Sequence, residues 1–353
     1  MKVYIRGLGA ISPQETYEKD TFLNNITEHN TPFLQSVTPV FKQYIKPIQL
    51  RRMSRLLKMG ITTAKIALAD AKVDNPGAII SGTGLGLVED TEKFLLAMLQ
   101  NDEQLLTPTA FIQSTHNTLS GQIAIALKCH NYNNTYAHRG FSFETALLDG
   151  MMQVEAKEIP HALVGGFDEI TEEHHSILMH SQWVKKESVP HLQLTRQKTP
   201  GSIIGEGVAY FVLAGTPSEN DYAQIRDVKM IYKPETPAAV YQDFEQWLAL
   251  QQLTAEDIDL LILGNNGDSN GDHFYEPFAQ AFSHIPVAHY KHLVGEYHTS
   301  SAFAMWLGAK SIKHQHIPDE MLANGVEPKG EINNVVIYNH FRQGNHSFMH
   351  LSR

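Results

Sequence analysis

The stretch NNTYAHRGFSFETALLDG, residues 133–150, reads as a strand that turns sharply into an amphipathic helix, with His138 at the turn. Elbows of this kind often seat a nucleophile, because backbone donors and the helix dipole converge on the first side chain. Histidine is an odd occupant for such a seat. Outward from the elbow, helix and strand signals alternate in both directions, which argues a layered α/β architecture.

Upstream, MKVYIRGLGAISP alternates like a buried strand and ends in Gly7, Gly9 and Pro13, a turn signal. The run from Arg51 to Gly77 has apolar residues at helical spacing and a stop at Asn75, Pro76 and Gly77, predicting one long helix. AIISGTGLGLVED is a strand entering a glycine turn. Its Gly82, Gly84 and Gly86 do not make the dinucleotide fingerprint and no Lys-Ser/Thr pair follows, so close strand-helix packing explains them better than phosphate binding. Downstream of the elbow, HALVGGFDEI and GSIIGEGVAYFVLAG read as strands. The polar, turn-rich TPSENDYAQ (216–224) is the best internal boundary, after which the pattern restarts. Helices are expected at 238–252, 274–283 and 299–313, with strands in IDLLILGNNG, IPVAHYK and a closing pair in NNVVIYNHFRQGNHSFMHL. Similar element order on both sides predicts an internally duplicated fold, with halves 1–215 and 216–353.

Composition narrows the function classes. The formal net charge of -10 argues against nucleic acid or an anionic membrane as partner. No stretch approaches the ~18 apolar residues that span a bilayer. Arg6 interrupts the only run that suggests a signal peptide, and Cys129, the single cysteine, forms no internal disulfide, so a cytoplasmic protein is expected. The histidine-rich runs EEHHSILMH and KHQHIP lack a spacing that closes a metal site, so neither a metal nor a bound cofactor is expected.

In order, these landmarks resemble the β-ketoacyl-carrier-protein synthases, condensing enzymes of the thiolase fold, over most of the chain. YIRGLGAISP is similar to the family's opening strand, RRMSR with IALADA to its first long helix, and SGTGLG to its Gly-rich turn. VGGFDE resembles its Gly-Gly-x-Glu region, IIGEGVAYFVLAG (with Glu206) its Gly-Glu-Gly strand, and YNHFRQGNHSF its Asn-Ser-Phe-Gly-Phe-Gly-Gly-x-Asn loop. The resemblance implies an α/β, thiolase-like layered fold of two similar βαβαβ-type halves. It also implies a substrate-facing role for Asn339, Phe341 and Gly344.

The family runs on a cysteine that carries the acyl thioester and two histidines. Laid over the family's Thr-Ala-Cys, LKCHNYNNTYAH puts His138 in the cysteine's place, and Cys129 falls too early to substitute. Asn266 stands where the first family histidine is expected, with Asp272 near a later aspartate, and Glu296 follows Lys291 and Gly295 where the second is expected. His298, two residues on, is expected to point elsewhere. With all three positions changed, the leading expectation is a buried His138–Glu296 hydrogen bond, joined by Asn266, that plugs a retired site. The alternatives are a repurposed acyl-thioester enzyme using His138 and Glu296 as general base, or a homodimeric binding protein. The function implied is that of a chain-length factor: a non-catalytic partner of an active ketosynthase in fatty-acid, polyketide or aryl-polyene-type biosynthesis. It would meet an acyl carrier protein and its acyl-phosphopantetheine arm through RRMSR or WVKKE. A dimer pairing through residues 131–138 is expected.

Overall fold

A computed structural model describes residues 2–18, 22–104 and 106–353. The strands are β1 (Val3–Ile11), β2 (Ala78–Gly82), β3 (Tyr132–Tyr136), β4 (His161–Asp168), β5 (Gly207–Ala214), β6 (Ala223–Tyr232), β7 (Leu260–Leu263), β8 (Val287–His289), β9 (Asn334–Phe341) and β10 (Asn345–Ser352). The helices are α1 (Pro47–Leu50), α2 (Arg55–Ala71), α3 (Val88–Gln100), α4 (Pro108–Gln113), α5 (Thr118–Leu127), α6 (Ser142–Glu155), α7 (Glu172–Leu178), α8 (Pro237–Leu250), α9 (Glu276–Ala281), α10 (Lys291–Val294) and α11 (Ser300–His314).

Duplication is visible in the topology. Reading outward, the first half runs β1-β5-β4-β2-β3 and the second β6-β10-β9-β7-β8. In each, the first two pairings are antiparallel and the last two parallel. Val3–Ile5 pair with 223–225, so the two halves share one ten-stranded sheet.

Strand alternation builds the layers. Successive strand residues point to opposite faces. Ile79, Leu163 and Val212 pack with Leu57 and Ile61 of α2 and Leu119 of α5, whereas Ile80, Val164 and Phe211 pack with Phe143 and Leu147 of α6. In the second half, Ile262 and Ile337 join that same central core, while Leu261, Val336 and Tyr338 pack with Phe244 of α8 and Phe278 of α9. Helices α6 and α11 therefore lie between the sheet halves, with α2 and α5 outside one and α8 and α9 outside the other. Residues Ser300 to Ile312 of α11 are all buried, as a helix covered on both sides requires.

The helix expected from Arg51 to Gly77 is shorter. It begins at Arg55 after an extended Ser54, and ends at Ala71 because Lys72 turns left-handed, φ 56°, a C-terminal cap that returns the chain to β2. The glycine turn after β2 is a packing device: a Cβ on Gly82 would collide with the Ser142 backbone, so only glycine lets α6 approach this strand. Gly82→Ala is expected to cost about 1–3 kcal/mol, read as a lower denaturation midpoint at unchanged m-value. Among the described residues, no helix is long and apolar enough to cross a membrane, and no group of three or more His, Cys, Asp or Glu is placed to hold a metal ion.

Candidate functional site

The site lies where the β3–α6 elbow meets the β9–β10 turn. After β3, His138 takes φ −122° and Arg139 the left-handed φ +53°, and a single 3-10 turn, Arg139–Phe141, leads into α6. The His138 N–H donates to Ser142 Oγ at 2.8 Å, and that hydroxyl reaches the Thr83 carbonyl at 2.8 Å, which locks the elbow onto the end of β2. The His138 side chain is exposed, and its polar neighbour is Thr145 Oγ1, 3.5 Å from Nδ1. Gly140 is the buried residue of the turn, and a Cβ there would collide with Cβ of Phe341. Gly140 thus faces the interior against Phe341, whereas His138 is exposed.

The expected His138–Glu296 hydrogen bond does not form. Glu296 is buried, and its Oε2 accepts from Asn266 Nδ2 at 2.5 Å and from Lys291 Nζ at 2.7 Å. Lys291 also reaches the His340 carbonyl at 3.2 Å. Both donors converge on Glu296 Oε2, while the buried Oε1 has no hydrogen-bond partner among the described residues, and the exposed His138 is not one of its partners. Asp272 supports this cluster from below, accepting from the Asn266 and Gly267 N–H groups at 3.0 and 2.9 Å, and burial pushes its carboxyl up to about 6.

The other family-matched residues separate. Glu206, fully buried, ties three segments together through the Ser36 N–H (2.7 Å), the Ile170 N–H (3.3 Å) and the Arg55 guanidinium (2.8 Å from Nη1), a scaffold role. Asn339 accepts from the Tyr290 hydroxyl at 2.9 Å, buried away from the cavity. Gly344 belongs to the hairpin turn between β9 and β10, in which Arg342 and Gln343 are left-handed at φ 48° and 57°. Of the three residues assigned to substrate, Phe341 alone lines the cavity.

That cavity is about 30 Å³, lined by Asp168, Glu169, Ile204, Glu296, His298 and Phe341 among others. It has room for about one water. His298 was expected to point elsewhere, yet it shares the cavity with Glu296, because residues 296–298 precede the helix and Glu296 bridges to Ile204 as a strand would. In extended chain, residues two apart face the same side. The His298 ring packs on Phe341, centroids 4.4 Å apart. Burial, with the nearby Arg342 charge, pushes its pKa down to about 3. Burial raises Asp168 to about 6 against the opposing N–H groups of Gly84 and Thr299, and raises Glu169 to about 8, helped by neighbouring Glu206.

Sequence reasoning missed Gly140, Arg342 and Trp183. The Arg342 guanidinium lies 3.3 Å from the Trp183 ring centroid and 4.7 Å from that of Phe341. Nothing in the spacing brings residues 183 and 342 together; an arginine in the turn where the family has glycine was the available signal.

Residues 25–199 match the family model described as beta-ketoacyl synthase, N-terminal domain. No curated protein matches in sequence. Among solved structures the chain is similar to the ishigamide ketosynthase/chain length factor, with TM-score 0.78, 16% identity, and coverage of 99% of this chain and 98% of that one. It is similar to a beta-ketoacyl synthase from Burkholderia phymatum STM815, with TM-score 0.78, 17% identity, and 100% and 99% coverage. A ketosynthase in complex with its chain length factor from Xenorhabdus doucetiae matches with TM-score 0.73, 14% identity, and 99% and 98% coverage. At such identities the likeness is one of fold, the thiolase-like layering of two similar halves.

Proposed function

We propose that this chain, whose residues 25–199 match the beta-ketoacyl synthase N-terminal domain model and whose fold is similar to ketosynthase structures, is a non-condensing, chain-length-factor-like partner of an intact ketosynthase. The observation that carries the reading is the constricted site. Gly140 offers no nucleophile at the buried elbow, Phe341 fills the space above it, and about 30 Å³ remains where an acyl thioester would have to lie. In this reading, Asn266 and Glu296 occupy the positions of the two family histidines and hold each other with Lys291. The halves 1–215 and 216–353 are kept as scaffold.

A partner surface is available at β3, the outermost strand of the first half. It is flanked by exposed apolar side chains, Tyr132, Ile125 of α5 and Met152 of α6 (45, 68 and 56% exposed). An unpaired sheet edge with such flanks favours addition of another strand. Two of the solved structures similar in fold carry both a ketosynthase and a chain length factor in their names, which supports the same arrangement here.

Co-expression at pH 7.5 with an intact Cys-His-His ketosynthase from the same genome tests this. A stable heterodimer is expected on size exclusion, with condensation of a malonyl-carrier substrate by the complex and none by this chain alone. Introducing charge with Tyr132→Lys and Met152→Glu is expected to weaken the heterodimer at least tenfold while leaving the chain folded. A persistent homodimer beside a ketosynthase that works without it defeats the proposal and favours a homodimeric binding protein.

A further inference from the structure

The outer edge of the sheet carries a guard that the function proposed above leaves unexplained. Among the described residues no strand lies beyond β3. β3 runs parallel to β2 with Gly82 opposite Tyr136, and the Tyr136 carbonyl accepts from the Thr83 N–H at 3.0 Å. In extended chain the N–H and C=O of one residue point to the same side, and those of the next residue to the other. Tyr132, Asn134 and Tyr136 therefore bond towards β2, and Asn133 and Thr135 turn their backbone groups outward. The outward Thr135 N–H is already taken: it donates to the Asn134 side-chain Oδ1 at 2.9 Å.

Helix α6 holds the guard in place. Asn134 Nδ2 donates to the Tyr132 hydroxyl oxygen at 3.3 Å, and that hydroxyl donates to Asp149 Oδ2 of α6 at 3.1 Å. The Tyr136 hydroxyl donates to the same oxygen at 3.1 Å, and Gln153 Nε2 to Oδ1 at 2.7 Å. Burial, with the Asp149 bond, pushes Tyr136 up to about 12, so it stays a donor. One orientation of the Asn134 amide satisfies this chain, because the Thr135 N–H needs an acceptor and the Tyr132 hydroxyl gives its proton to Asp149. A side chain that occupies an edge N–H blunts the edge, as natural sheets do to limit unwanted pairing.

We infer that Asn134 sets partner choice at the β3 edge, disfavouring a second copy of this chain relative to a strand from a different chain. This deepens the partner reading above and rests on it for the identity of that chain. A strand that pairs with β3 takes the Thr135 N–H and displaces the Asn134 amide, which then loses both of its bonds. A homodimer built through β3 on a two-fold axis brings two such guards to one interface, whereas a heterodimer brings one from this chain. With a net hydrogen bond as the unit, each displaced guard weakens association about fivefold, and two weaken it about 25-fold. Selectivity then comes from what is made unfavourable as well as from what fits.

The purified chain is compared with Asn134→Ala and Asn133→Ala by sedimentation equilibrium at pH 7.5, alone and with the intact Cys-His-His ketosynthase from the same genome. Neither position is buried, so the fold is kept. Asn133→Ala makes the same residue change without touching the guard, because the Asn133 amide serves the Ser120 carbonyl of α5, at 2.9 Å. Asn134→Ala is expected to strengthen self-association about 25-fold and the heterodimer about fivefold, with no such gain in Asn133→Ala. No gain in self-association, an equal gain in Asn133→Ala, or a heterodimer gain as large as the homodimer gain overturns the inference. The two failures are separable: a heterodimer with no Asn134→Ala gain in self-association sinks the guard alone. A self-association gain with no heterodimer upholds the guard against a second copy and sinks the partner reading.

Discussion

As pH falls from 6.5 to 5 the folded protein is expected to lose stability progressively. The cause is a set of histidines that the fold keeps neutral. Burial pushes His289 and His298 down to about 3 and His292, His346 and His350 to about 4, and drives His340 well below its ordinary value. His346 illustrates why: Nδ1 faces the Tyr338 hydroxyl at 2.9 Å and Nε2 the Gln343 carbonyl at 3.1 Å, so the neutral ring is already matched on both sides. A histidine whose folded pKa is depressed contributes stability that is full above its unfolded pKa of about 6.5 and is lost as pH falls below it. Six such groups take up protons only on unfolding. Asp168 and Asp272, raised to about 6, and Glu169, raised to about 8, act oppositely, because the folded state binds their protons first. The lowered histidines, with His161, His174, His175 and His191 shifted the same way, outnumber the raised carboxyls, so acidification through the unfolded histidine pKa is net destabilising. Urea titrations at half-unit steps from pH 7.5 to 4.5 check this; a flat profile contradicts it.

Lys291→Met is expected to destabilise the protein by about 3–5 kcal/mol, because it strands the Glu296 carboxylate in the interior with only Asn266 as partner. Lys291 is fully buried and Glu296 nearly so, so water does not replace the lost cation. The double variant Lys291→Met with Glu296→Leu is expected to recover most of the loss, since replacing both members of a buried pair with apolar groups is often neutral. A double-mutant cycle by chemical denaturation at pH 7.5 measures the coupling. A single-variant loss below about 1 kcal/mol means that the ion pair does not hold the site closed.

Much of the fold was legible because strands and helices write their periods into the chain. The elbow from β3 into α6, the glycine turn after β2 and the order of elements in both halves follow from apolar spacing and turn residues. The long first helix was overextended, since a left-handed Lys72 can end a helix without any glycine or proline signal. The site was less legible. The expected pairing of His138 with Glu296 was not legible, because the backbone turns at Arg139 and Gly140, not His138, faces inward against Phe341. His298 was set aside on helical geometry, whereas the segment is extended and aims it into the same cavity as Glu296.

By itself the sequence determined the α/β class and the repeated element order, because composition and periodicity are local properties. The tertiary structure decided which side chains meet. Asn266, Lys291 and Glu296 close on one another, Phe341 occupies the room over Gly140, and Arg342 stacks on Trp183 from 159 residues away. These are contacts between segments distant in the chain, and their chemistry depends on distances and burial that no one-dimensional pattern encodes.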